Sequence, residues 1–498
     1  MCERFGGELG VRYMLTGAVR RIGTILRVDV QLNSAETGAQ LWSDRFDEPI
    51  TELAGGQDQI ITRLRTGLDI NLFEIEKARS LRERPTNPDA FDLILRARAL
   101  YNQPTDVRRH LEAQALFERA LALDPTSVSA ITWVVLCLIE RADTEGWGSL
   151  ENMQRAERLV TQANAIAPES RATLGATFQW LRALDRCREA IPFAERHIAH
   201  FPNHPLGYAY LGSCKILTGH AEEDLPLERK AMQLNPRDPN LATRYRRLGV
   251  ASLLLGRDDD AIRFFDRSLP LSDYAGAKST VYRGLAVAYA RTGRIDESKH
   301  ALAEAQRAWP YDTVRSHYPD DPSSAVLADQ VRHIQEGLRL AGERDHADED
   351  ADFAVPSDGA LRGNPVGLTP QDAPGAKTIR TADLTRLLAQ ARPVVVDTAT
   401  NSWGRSIPGA IGLKYAGIGG NFAGAAQEHL RAKLLALASG DLARPVVTVG
   451  WNSERFDGRN LALRLVALGY TRVYWYRGGR EAWEVAGFPE APLDMQDW

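Results

Sequence analysis

Three prolines, Pro168, Pro202 and Pro236, stand 34 residues apart, and three glycines, Gly219, Gly256 and Gly293, stand 37 apart in similar settings (LTG, LLG, RTG). A fixed period of roughly 20–50 residues marks a stacked repeat. It constrains architecture more than any single motif, because each unit buries its apolar face only against its neighbours. Small and larger residues recur ahead of the prolines at helical spacing. Ala113, Phe117 and Ala120 precede Pro125; Ala156, Val160 and Ala163 precede Pro168; Ser298, Leu302 and Ala305 precede Pro310 more loosely. Leu211-Gly212 and Leu248-Gly249 take the matching place on the preceding helix. The small residue lets two helices approach, the larger one fills the next groove, and the proline ends the second helix.

This pattern resembles the tetratricopeptide (TPR) repeat. The resemblance implies an all-α solenoid over residues 88–340, of about six units, whose concave face binds a protein partner. The departures are named residues. His197 stands where a small residue is usual, Glu228 where an aromatic is usual, and Asp273 in place of the terminal proline; about nine extra residues precede Pro168, around Asp143–Gly148.

The chain has 498 residues, which at roughly 150 per domain predicts about three domains. Hydrophobic residues at 44% and charged residues at 25% are those of a soluble globular protein. A net charge of −4 excludes a generalised nucleic-acid binder and a polybasic membrane-surface binder. The longest apolar run, Ile131–Ile139, is too short to span a bilayer, and MCERFGGELG has no apolar signal core. Cys2, Cys137, Cys187 and Cys214 fit neither a disulfide framework nor a metal knuckle, so a reducing cytoplasm is expected. His197, His200 and His204 lie close in sequence but have no clear acidic or thiol partner, and no metal or cofactor is expected.

Before the repeats, Tyr13–Arg20, Thr24–Leu32 and Ala39–Phe46 read as strands separated by Ile22-Gly23 and Glu36-Thr37-Gly38. Ile60, Ile61, Leu64 and Leu68 mark one face of a helix. The stretch ELGVRYMLTGAVRRIGTILRVDVQLNSAETGAQLWSDRF resembles the TolB-like domain that follows the catalytic domain in many class III adenylate cyclases. The resemblance implies a partial α/β domain over 1–80, since further strands precede this point in that family. It also implies a cyclase-type regulatory half, or a product with a truncated start, with no cyclase catalytic domain. A meander this short is expected to be marginal alone.

After the repeats, residues 341–376 read as a linker. The acidic run Asp345–Asp352 leads into Pro356, Gly359, Gly363, Pro365, Pro370, Pro374 and Gly375, and such composition predicts a solvated, mobile segment. The run lacks the glycine turn and distal glutamate of a calcium loop.

Residues 377–498 predict an α/β domain with a doubly wound parallel sheet: a helix at Thr381–Gln390, strands at Pro393–Asp397, Pro445–Val449 and Arg472–Tyr476, and a helix at Asn460–Leu468. This segment resembles the rhodanese sulfurtransferases. The matching features are the strand ending at Asp397, SIPGA at Ser406–Ala410, PVVTVGWNSERF, and the closing pattern Gly478, Gly479, Trp483, Gly487 and Pro489. The family works through one cysteine at the end of the central strand, whose thiolate is lowered by a helix N-terminus and converging amides. Here Gly450 takes that position, followed by Trp451, Asn452, Ser453, Glu454 and Arg455. No cysteine follows Cys214 anywhere in the chain, and Ser453 has no histidine in its loop. The domain therefore reads as a pseudo-enzyme. Two readings of Gly450–Arg455 stand side by side: a cradle for a small anion or a partner's carboxylate, with Arg455 supplying charge and Asp397 and Arg405 as neighbours, or a turn with a structural role only. Trp451, Trp475, Tyr476 and Trp483 are expected in the core or its rim.

Together these features point to a non-catalytic, cytoplasmic signalling or regulatory adaptor. Its TPR array would bind a protein partner and its C-terminal domain would dock a ligand or partner. The alternatives are a sulfurtransferase that uses a partner's cysteine or an unrecognised route, and a purely structural scaffold.

Overall fold

The computed structural model describes residues 11–49, positions 68, 72, 75, 76, 78 and 79, and residues 88–498 other than 102–106, 146–149, 185, 237, 273, 318–324, 399–403 and 497. The expected roles of Asp273, Ile60, Ile61 and Leu64 fall outside these residues. Three strands, β1 (Tyr13–Ile22), β2 (Ile25–Ser34) and β3 (Gln40–Pro49), form an antiparallel meander. Val30, Leu32 and Phe46 are buried, while Leu15 and Val19 of β1 are exposed. Tyr13 Oη donates to Glu76 at 2.8 Å.

Twelve helices then pair into six hairpins. They are α1 (Ala90–Tyr101) with α2 (Val107–Leu123), α3 (Val128–Glu145) with α4 (Leu150–Ile166), and α5 (Arg171–Ala183) with α6 (Cys187–His200). The second half holds α7 (Pro205–Leu217) with α8 (Ala221–Leu234), α9 (Leu241–Leu254) with α10 (Asp258–Ser268), and α11 (Ala275–Arg291) with α12 (Ile295–Ala308). A short α13 (Val314–His317) and the longer α14 (Ala325–Ala341) close the array. Among the described residues, no helix is long and apolar enough to cross a membrane.

The periodic glycines end the first helix of their pairs. Gly219, Gly256 and Gly293 adopt φ of 85°, 70° and 78°, the left-handed geometry that ends a helix most cheaply at glycine. The residue after each glycine donates its amide back five residues, in His220→Lys215, Arg257→Ser252 and Arg294→Tyr289, each at 2.8 Å. Ala113, Phe117 and Ala120, and likewise Ser298, Leu302 and Ala305, are buried. Phe265 lies between Gly249 and Gly284, where an added Cβ would come within 2.5 and 2.4 Å of its ring. The departure at His197 is also buried, and its Nδ1 would meet a Cβ on Gly207 at 2.7 Å, so the small residue has moved to the facing helix.

One cysteine expectation is corrected. Cys187 and Cys214 form a disulfide with a Cα–Cα distance of 5.2 Å, joining the start of α6 to the second half of α7 among Phe178, Leu181, Ala190 and Ala194. Spacing did not reveal it, because the bridge depends on how two helices lie against each other. Closing a loop of sequence separation 27 restricts the unfolded chain by about 3–4 kcal/mol. Dithiothreitol is therefore expected to lower the midpoint of urea unfolding of the array, and Cys214→Ala to abolish that sensitivity. Equal midpoints with and without reductant would remove the bridge from the account.

The C-terminal domain is built on a six-stranded sheet of order β11-β7-β5-β8-β9-β4, every described pairing parallel. Its strands are β4 (Lys377–Ile379), β5 (Val394–Asp397), β7 (Ile411–Gly412), β8 (Val446–Val449), β9 (Val473–Tyr476) and β11 (Asp494–Met495). A two-stranded pair, β6 (Arg405–Ser406) with β10 (Ala491–Pro492), lies apart from it. Helices α15 (Thr381–Ala391), α16 (Ala425–Leu437), α17 (Asp457–Ala467) and α18 (Gly479–Val485) connect the strands. Two clusters fill the two faces, one around Val394, Val396, Leu461 and Trp475, the other around Val395, Val447, Val449 and Trp483. β5 and β8 are neighbours and buried along their length, as their unbroken valine runs predict.

Residues 341–376 depart from the expected mobile linker. They run across the C-terminal domain as a strap whose backbone is held by two buried arginines. Arg459 donates to the carbonyls of Asp358, Ala360 and Asp372, and Arg477 to those of Glu349 and Thr369. Composition read the strap as solvated because its own side chains bury little. Its hydrogen-bond partners lie about a hundred residues further on.

Candidate functional site

Ligand sites in parallel sheets form at the carboxyl ends of the strands. Here β8 ends at Val449 and β5 at Asp397, and residues 450–456 lead from β8 into α17. The side-chain carbonyl of Asn452 accepts from the Glu454 amide at 3.0 Å, folding the loop on itself. The first amides of α18 complete it: Arg480 donates to the Gly450 carbonyl and Glu481 to that of Trp451, each at 3.0 Å. This close approach needs Gly479, whose φ is 61° and whose Cβ would fall 2.6 Å from the Gly450 oxygen. The Arg480 guanidinium lies over the Trp451 ring at 5.0 Å.

The position that the family resemblance assigns to the nucleophile is not vacant. A Cβ on Gly450 would lie 2.5 Å from Asp457 Oδ1 and 2.8 Å from the Gly458 nitrogen. The buried Asp457 carboxylate occupies the place. It accepts from the Gly458 amide at 3.0 Å and from Thr398 Oγ1 at 3.3 Å, with Arg455 Nε at 3.8 Å. The anion that a helix N-terminus and nearby guanidinium favour is thus supplied by the chain itself.

The loop is also covered. Trp451, Asn452, Ser453 and Glu454 are each 4% exposed or less. Ser453 Oγ donates to the Asp348 carbonyl at 2.8 Å, Thr369 Oγ1 to the Ser453 carbonyl at 2.6 Å, and the Gly367 amide to the Glu454 carbonyl at 2.9 Å. The Phe456 amide donates to Pro365 at 2.7 Å, and Val366 bridges to Arg455. Arg344 grips both Glu454 carboxylate oxygens, and this pairing raises the Arg344 guanidinium above its usual value.

Glu481 is a second buried carboxylate beneath the loop. It accepts from Thr313 Oγ1 at 2.7 Å, the Ala347 amide at 2.8 Å and Asn452 Nδ2 at 3.0 Å. Burial raises its carboxyl above the usual range, and the three donors oppose that shift.

Of the residues singled out in sequence, the structure gathers Gly450–Arg455 and places Asp397 at the end of the neighbouring strand. Ser406 Oγ donates to Asp397 Oδ2 at 2.5 Å, so the serine in the SIPGA stretch anchors that carboxylate. Arg405 pairs with Glu490, its guanidinium donating to that residue's carbonyl at 2.8 Å. Trp451, Trp475, Tyr476 and Trp483 are all buried. Asp457, Glu481 and Arg344 were missed. A charged residue in the turn after a buried strand, as at Arg477, and an arginine on an otherwise buried helix, as at Arg459, were the available signals. Among the described residues, no three His, Cys, Asp or Glu side chains are grouped to hold a metal ion.

Residues 381–486 match the family model described as a rhodanese-like domain. The chain is 31% identical over 187 residues to the protein named "Putative adenylate cyclase 3" of Rhizobium meliloti (strain 1021). That match takes in 37% of this chain and 32% of the other, so it spans about a third of the relative's length. Among solved structures, the APC/C hetero-tetramer Cut9-Hcn1 aligns over 53% of this chain and 46% of that one, at 16% identity and a TM-score of 0.39. Pseudomonas aeruginosa pilF aligns over 49% and 96%, at 13% identity and a TM-score of 0.32. YrrB, a TPR protein with an unusual peptide-binding site, aligns over 39% and 91%, at 18% identity and a TM-score of 0.25.

Proposed function

We propose that this chain is a non-catalytic adaptor in a regulatory system. Its helical array receives a protein partner, and its rhodanese-like domain serves for docking, not sulfur transfer. The observation that carries this reading is the Gly450 position: no cysteine, a carboxylate in the space a side chain would need, and a loop closed over by the strap. An alcohol such as Ser453 forms no transferable persulfide, and its hydroxyl is engaged with the Asp348 carbonyl. The name of the Rhizobium relative supports a place beside adenylate cyclases.

The test is a thiosulfate-to-cyanide sulfurtransferase assay on the full chain and on Gly450→Cys. Both are expected to be inert, because the new side chain would collide with Asp457 and the loop is closed to substrate. Turnover by the wild-type chain would overturn the reading.

A further inference from the structure

A solenoid is quasi-one-dimensional: each repeat touches its neighbours, so bending is soft and curvature is free to vary. In this chain the C-terminal domain touches the array at two remote places. The first is at the early hairpins. Tyr415 and Ile418 belong to the same buried cluster as Phe117, Val134, Ala156 and Trp180, and Trp498 packs against it. Lys414 Nζ donates to the Leu184 carbonyl at the end of α5 at 3.2 Å, and α16 lies against α4.

The second place is at the far end. Thr313, just before α13, donates to Glu481 at 2.7 Å; Arg315 on α13 pairs with Glu484; Arg344, just past α14, pairs with Glu454. One contact is mostly apolar and the other is two ion pairs and a hydrogen bond. Between them lie α6 to α12, of which α11 and α12 meet Glu343 at the start of the strap through Arg283 and Gln306.

We propose that the rhodanese-like domain is a clasp that fixes the curvature of the helical array, with the closed loop Gly450–Arg455 as its socket for the array's far end. The loop position that serves catalysis in the family it resembles here receives Arg344 and the strap. Held this way, the array presents its partner surface in one shape and avoids ordering itself on binding.

Tyr415 offers a clean way to open one side. It is buried at φ 65°, a conformation glycine adopts without strain, so Tyr415→Gly removes the ring while suiting the backbone. Arg344→Glu opens the other side. The experiment is pulsed electron resonance on the full chain, with spin labels at Leu123→Cys and Leu340→Cys, both exposed, in a background with Cys2→Ser and Cys137→Ala. The parent is expected to give one narrow distance distribution. Tyr415→Gly with Arg344→Glu is expected to broaden it about twofold, as local opening releases the array. Arg344→Glu alone is expected to broaden it less, and the charge exchange Arg344→Glu with Glu454→Arg to narrow it again. An unchanged distribution in the double variant would overturn the clasp. So would broadening that the charge exchange leaves untouched, because that reports damage to the fold.

Discussion

Replacing Asp224 with alanine is expected to stabilise the helical array, and to do so more strongly as pH rises. Asp224 sits in the first turn of α8, fully buried, and neither carboxylate oxygen has a hydrogen-bond partner among the described residues. It faces Gly212 of α7, where an added Cβ would lie 2.3 Å from Oδ1. Glu228 stands one turn along on its own helix, and Arg244 and Arg247 face it from α9. Those arginines are already engaged: Arg247 with Glu228 at 2.9 Å, and Arg244 with Asp238 at 3.1 Å and Glu228 at 3.5 Å. Burial first, then the Glu228 charge, raises Asp224 from 3.8 to about 7.

The sign follows from linkage. The unfolded chain releases this proton near 3.8 and the folded chain only near 7, so stability falls as pH rises between those values and then levels off. At about 1.36 kcal/mol per pH unit, the cost above neutrality approaches roughly 4 kcal/mol. Asp224→Ala, which restores the small residue of the repeat pattern, removes that cost. Urea unfolding of parent and variant at pH 5 and pH 8 should show a gap that widens with pH. A variant less stable than the parent at pH 8, or a gap independent of pH, would refute the assignment.

The strap carries the second large effect. Fragment 343–498 is expected to unfold in one cooperative transition, and fragment 377–498 to lack one. Without the strap, Arg459 and Arg477 lose every carbonyl that receives them, and Glu481 loses the Ala347 amide. Hydrogen bonds to charged groups contribute roughly 1.5–3 kcal/mol each, and a buried charge left unpaired costs more. Burial first, and the Arg380 charge beside it, already lower the Arg477 guanidinium to about 10. The summed loss approaches the whole stability of a typical domain, about 5–15 kcal/mol. Guanidinium melts followed by near-ultraviolet dichroism would decide it; a sharp transition in 377–498 would make the strap an accessory.

The paired helices, the 37-residue period of Gly219, Gly256 and Gly293, and the valine strands of the last domain were all legible in the sequence. Each rests on local physics: helical spacing, a recurring glycine turn or a continuous apolar run. The loop at Gly450, and the reading that a cysteine is missing there, came from the resemblance to the rhodanese family and not from local physics. Neither reached Asp457 lying in the vacated space, the pairing of Cys187 with Cys214, or the strap that closes the site. In sequence, Glu481, Arg459 and Arg477 look like solvated charges, because the groups that satisfy them lie on remote segments. A buried charge is tolerated only where partners converge on it in space, and that convergence comes from the fold of the C-terminal domain, from the strap laid across it and, at Glu481, from Thr313 at the end of the array.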